Sequence, residues 1–102
     1  MTRRKTELEY EISRGGYVET ARVYAEPDTS CGYDYVLHFG TTDGFTVVRY
    51  DNSHEDQGVY DEHLCGTRYT RSEFPGMTGI LDRFYEAKNL YVRYEGIEGK
   101  AP

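Results

Sequence analysis

An α+β domain, built as an antiparallel meander of four to five strands with one C-terminal helix packed on a face, is predicted by three features of the sequence. Eleven Tyr and four Phe with no Trp, in a chain only 37% hydrophobic, favour a sheet-rich fold. Residues 7 to 51 repeatedly alternate apolar with polar side chains, the period of a half-buried strand. From Pro75 the spacing changes to threes and fours, the signature of a helix with one apolar stripe. At 102 residues the chain has the size of one domain. We take 1–102 as that domain, with residues 1–5 and 96–102 expected to be flexible ends.

The first strand sets Leu8, Tyr10 and Ile12 against Glu7, Glu9 and Glu11, an apolar face backed by an acidic one. Gly15-Gly16 supplies the positive φ of a tight hairpin, and Tyr17 to Ala25 follows with Ala21, Val23 and Ala25 as its inner set. Glu26 to Ser30 is dense in turn residues and closes the hairpin. In the third strand Tyr33, Tyr35, Leu37 and Phe39 share one face, and Asp34, Val36 and His38 the other. Gly40 to Gly44 forms a short loop. The fourth strand, Phe45 to Asp51, has Phe45, Val47, Arg49 and Asp51 on one face and Thr46, Val48 and Tyr50 on the other. Asn52 to Thr67 is polar and irregular apart from Gly58-Val59-Tyr60, so a long loop, with or without a short extra strand, is expected there. Met77, Ile80, Leu81, Phe84 and Tyr85 mark the helix, entered at Pro75-Gly76 and left at Asn89. Leu90, Val92 and Tyr94 then alternate, which favours a last strand over residues 90–95. Leu37, Val47, Ile80, Leu81 and Phe84 should meet in the core.

The formal charge of −6 disfavours a non-specific grip on nucleic acid or on an anionic membrane. The N-terminus lacks an apolar run of signal-peptide length, and no window approaches the ~18 apolar residues of a membrane span. A cytoplasmic protein is expected, and in that compartment Cys31 and Cys65 are expected to be reduced thiols.

Chemistry concentrates in Arg49-Tyr50-Asp51-Asn52-Ser53-His54, where a strand runs into a polar loop. An arginine fork can hold a phosphate and a histidine can move a proton near neutral pH, the parts of a metal-independent ribonuclease. Arg49, Asp51 and His54 are therefore the first candidates, with His38 and His63 second. Strand parity alone does not bring His38 beside Arg49. The structural alternative is an Arg49–Asp51 ion pair with Asn52 and His54 capping a turn. His63-x-Cys65 is not a zinc spacing, so no metal or other cofactor is expected. The Tyr33, Tyr35, Phe39 stripe is either a base-stacking platform or core; Leu37 on the same face favours core.

Tyr35-Val36-Leu37-His38, then Val47-Val48-Arg49-Tyr50-Asp51-Asn52-Ser53-His54, a further histidine and a short amphipathic helix together resemble the TumE-type toxins of prokaryotic toxin–antitoxin modules. Those proteins carry an RYDN motif followed by histidine. Here Ser53-His54-Glu55 stands in place of the usual Pro and doubled His, and Asp61-Glu62-His63 in place of a His-rich basic segment. The resemblance implies a toxin-related protein acting on RNA or on a translation component, with a cognate antitoxin as partner. A non-enzymatic module that binds a protein partner through an acidic, Tyr-rich surface is the competing expectation.

Overall fold

The computed structural model describes residues 5–27, 31–52, 60–71 and 73–97. They form six strands, β1 (Lys5–Arg14), β2 (Tyr17–Ala25), β3 (Tyr33–Thr41), β4 (Thr46–Asp51), β5 (Tyr60–Leu64) and β6 (Thr67–Arg71), and one helix, α1 (Met77–Ile97). All six strands belong to one antiparallel sheet in the order β1-β2-β3-β4-β5-β6, an uninterrupted meander. The architecture is the expected α+β one, with six strands rather than four or five.

β5 lies within residues 52–67, where a long loop with or without a short extra strand is expected, and β6 begins at the end of that segment. β5 and β6 form a hairpin whose Cys65-Gly66 turn has positive φ at both positions, 49° and 85°, the twist that a two-residue hairpin loop requires. The pair escapes a hydrophobicity reading because its buried positions are partly charged: Tyr60, Asp61 and Glu62 are all buried, whereas every residue of β6 is exposed.

Helix α1 lies over β3 and β4, with Ile80 and Phe84 fully buried against Ala21, Val23, Tyr35, Leu37, Val48 and Tyr50. The expected core is present, including Val47, except that Leu81 is only partly buried at its border. The Tyr35, Leu37, Phe39 face is core: all three are 5% exposed or less. Gly76 begins the helix, accepting the Ile80 N–H at 3.0 Å. A strand over 90–95 is not formed. The helix runs through Asn89, which costs a few tenths of a kcal/mol as a helix residue, and Tyr91 packs edge-on to Tyr17 at 6.3 Å. Leu90 and Val92, the apparent strand alternation, stand 57% and 46% exposed. Likewise Lys5 lies in β1, and Gly96 and Ile97 lie in the helix.

A helix about 10 Å across spans only about two strand spacings of 4.8 Å. One helix therefore cannot cover six strands. A groove remains on each side of α1, and among the described residues the opposite face of the sheet, called here the far face, carries no helix.

Polar links tie the helix to the sheet beyond the core. Lys88 donates to Glu19 Oε1 at 2.7 Å, and Glu19 also accepts from the Tyr10 hydroxyl, which in turn contacts Tyr85 OH at 3.0 Å. Arg83 donates to Tyr60 OH at 2.6 Å. Glu62 accepts from Tyr50 OH and from Arg71 Nε at 2.9 Å. Burial, reinforced by Glu62, pushes the Tyr50 phenol well above its ordinary range.

Candidate functional site

The register resolves what parity could not. His38 is the cross-strand partner of Arg49, and Arg49 that of His63, so His38, Arg49 and His63 form one row across β3, β4 and β5. Side chains directly opposite in adjacent strands share a face, here the far face. Thr20 and Arg68 extend the row at either end. Two strand spacings separate the two histidines, roughly 10 Å between Cα atoms, with a guanidinium between them.

A bulge shapes the His38 end of this row. The β3–β4 register shifts between Phe39 and Gly40, so that Gly40 faces Thr46 while Phe39 faces Val48. The extra residue, Val47, reverses the parity expected for Thr46, whose hydroxyl lies 3.3 Å from His38 Nε2. The imidazole occupies the space a side chain at position 40 would need: a Cβ on Gly40 would come within 2.9 Å of His38 Cε1 and 2.5 Å of Phe45 O. His38 is half-buried, and burial, followed by the charges of Arg49 and His63, lowers its pKa below the usual 6.5. The shift favours the neutral imidazole.

Arg49 donates its Nε to Asp51 Oδ2 at 2.7 Å. The Asp51 side chain is only 5% exposed, whereas that of Arg49 is 38% exposed. Its Nη1 and Nη2 donors have no partner among the described residues and remain available to an anion. Asp51 thus orients the guanidinium. Behind this pair Asp61, the cross-strand partner of Asp51, lies buried with Arg68 Nε at 3.6 Å and Thr70 Oγ1 at 3.4 Å.

The rest of the Arg49–Asn52 run is engaged in the fold. Tyr50 enters the core and binds Glu62. Asn52 continues the β3–β4 ladder with its side chain, accepting the Tyr35 N–H at 3.1 Å and donating to Tyr33 O at 2.7 Å. Its amide also donates to the Cys31 thiol at 3.6 Å. His54 lies outside the described residues. The structure thus brings together Arg49 and Asp51 with the two second-choice histidines. Thr46, Gly40 and Arg68 are the members of the site that sequence reasoning missed; the close spacing of His38 and Gly40 at a strand end was the available signal for Gly40.

Cys31 and Cys65, half-buried and exposed respectively, are not joined in a disulfide. Among the described residues no group of three His, Cys, Asp or Glu side chains converges as metal ligands would, and no helix is long and apolar enough to cross a membrane. No protein-family model matches the sequence, and neither a curated protein nor a solved structure is similar to it.

Proposed function

We propose that the far-face row binds a phosphodiester of RNA and that the protein is a metal-independent ribonuclease, a divergent relative of the TumE-type toxins. The observation that carries this reading is the placement of Arg49 between His38 and His63 on three adjacent strands. The Nη edge of Arg49 would hold the non-bridging oxygens of the phosphate. Neutral His38 would take the proton of a ribose 2′-OH as that oxygen attacks phosphorus. His63, on the opposite flank, would give a proton to the departing 5′-oxygen. The 2′-oxygen–phosphorus bond forms and the phosphorus–5′-oxygen bond breaks, leaving a 2′,3′-cyclic phosphate and a 5′-hydroxyl. Proton transfer of this kind contributes typically about 10² to 10⁴ in rate for each group.

The competing reading is a non-enzymatic interaction module. It draws support from the structural work of Tyr50, Asp51 and Asn52, which would account for their presence without any catalysis. Expression of the chain in a bacterial host separates the two. The ribonuclease reading expects growth arrest, relieved by His63→Ala and by Arg49→Lys, since an ammonium keeps the charge but loses the planar fork. Unaffected growth on expression of the folded wild-type chain would favour the interaction module, and arrest that persists in both variants would move the activity elsewhere on the molecule.

A further inference from the structure

On the helix side of the sheet, the end of the β1–β2 hairpin and the second half of α1 enclose a groove of about 620 Å³, within the range of small-molecule sites. Its floor is aromatic: Tyr17 stacks on Phe39 with ring centres 5.0 Å apart, and Tyr91 supports Tyr17 from the side. Its walls include Ile12 and Val92, apolar side chains left 48% and 46% exposed.

Three cations, Arg14, Lys88 and Arg93, line the same groove. Lys88 is matched by Glu19, which is itself fully engaged by Lys88 and Tyr10. Arg14 and Arg93 have no carboxylate partner among the described residues. In a chain of net charge −6, two guanidiniums without a carboxylate partner among the described residues, beside exposed apolar walls, form a local field opposite to that of the whole protein. Water-exposed apolar walls ask for a hydrocarbon, and the two guanidiniums ask for an anion at its end.

We propose that this groove is a binding site for a small amphipathic carboxylate, an alkyl chain of medium length whose carboxylate is held by Arg14 and Arg93. The alkyl chain lies along Ile12, Tyr17, Phe39 and Val92. The site is on the other side of the sheet from the His38–Arg49–His63 row and does not depend on it.

Displacement of the fluorescent anion 1-anilinonaphthalene-8-sulfonate from the folded full-length chain tests this, with octanoate, decanoate, dodecanoate, decanol and decylamine as competitors below their aggregation limits. Decanoate should displace the probe at least tenfold better than decanol, and decylamine should not compete. Within the carboxylate series each added methylene should tighten binding about two- to fourfold, as expected for partly buried methylenes. The double substitution Arg14→Gln, Arg93→Gln should weaken decanoate at least tenfold and leave decanol unchanged. Val92→Asp, at an exposed position where the helix tolerates it, should weaken both. Circular dichroism of each variant confirms that it is folded. Equal competition by decanol and decanoate, competition by decylamine, an unaffected double variant, or no displacement at millimolar decanoate would each overturn the proposal.

Discussion

Replacing Gly40 with alanine tests how the fold holds His38 in the far-face row. The added Cβ would lie 2.5 Å from Phe45 O and 2.9 and 3.2 Å from Cε1 and Nε2 of His38. The imidazole can swing away, but the carbonyl cannot, because it accepts the Thr41 N–H at 2.8 Å in the β3–β4 turn. A glycine-to-alanine change at a compatible site stabilises by about 0.4–1 kcal/mol through the unfolded chain. Overpacking against fixed atoms costs about 1–3 kcal/mol, and contact with a held backbone oxygen belongs at the upper end. A net loss of about 1–2 kcal/mol is therefore expected. With a urea m-value of roughly 1–3 kcal/mol/M for a small domain, the unfolding midpoint should fall by about 0.3–2 M. The same substitution pushes the ring toward water. Because burial is the main cause of the lowered His38 pKa, its titration followed by NMR should move up, toward 6.5. An unchanged urea midpoint together with an unchanged His38 titration would refute the packing described for this end of the site.

Other expectations follow from the same geometry. His38 has a folded-state pKa below its unfolded value, so the unfolded chain binds the extra proton. The stability it contributes is present above pH 6.5 and is lost as pH falls through 6.5 toward the folded value; urea midpoints between pH 8 and 5.5 should decline less in His38→Gln than in the wild type. Tyr35 OH is buried without a hydrogen-bond partner among the described residues, so Tyr35→Phe should leave stability unchanged or raise it by up to about 1 kcal/mol, and a loss above about 1 kcal/mol would reveal a partner for that hydroxyl. Phe84→Ala, at a site with no exposure, should cost about 3–5 kcal/mol; Leu81→Ala, at the border of the core, should cost clearly less, and equal losses would contradict the way the helix is seated.

Much of this architecture is legible in the sequence because its signals are local. The alternation through β1 to β4, the Gly15-Gly16 turn and the Ile80, Leu81, Phe84 stripe are set by neighbours a few residues apart. The β5–β6 hairpin is not legible in that way, since its buried Asp61 and Glu62 invert the usual pattern and are satisfied by Tyr50 of β4 and, across the hairpin, by Arg68, Thr70 and Arg71. The helix beyond Asn89 is ambiguous for another reason: Leu90 and Val92 are exposed, so burial did not shape their spacing. For the site, Arg49 and Asp51 stand two apart on one strand and can be paired from parity. The juxtaposition of His38 with Arg49 depends on a bulge at Val47, and that of Arg49 with His63 on the register of the β5 strand. Neither is written in any window of adjacent residues.

The central claim is that His38, Arg49 and His63 act together on an RNA phosphodiester, and end-group analysis of a cleavage reaction tests it most directly. Purified wild-type protein would be incubated in a chelator with an end-labelled single-stranded RNA and with the same oligonucleotide carrying 2′-O-methyl groups throughout. Cleavage of the RNA alone is expected, with 2′,3′-cyclic phosphate ends, slowed about 10² to 10⁴-fold by His38→Ala or by His63→Ala. An intact RNA, cleavage of the 2′-O-methyl strand, or full activity in both histidine variants would contradict it.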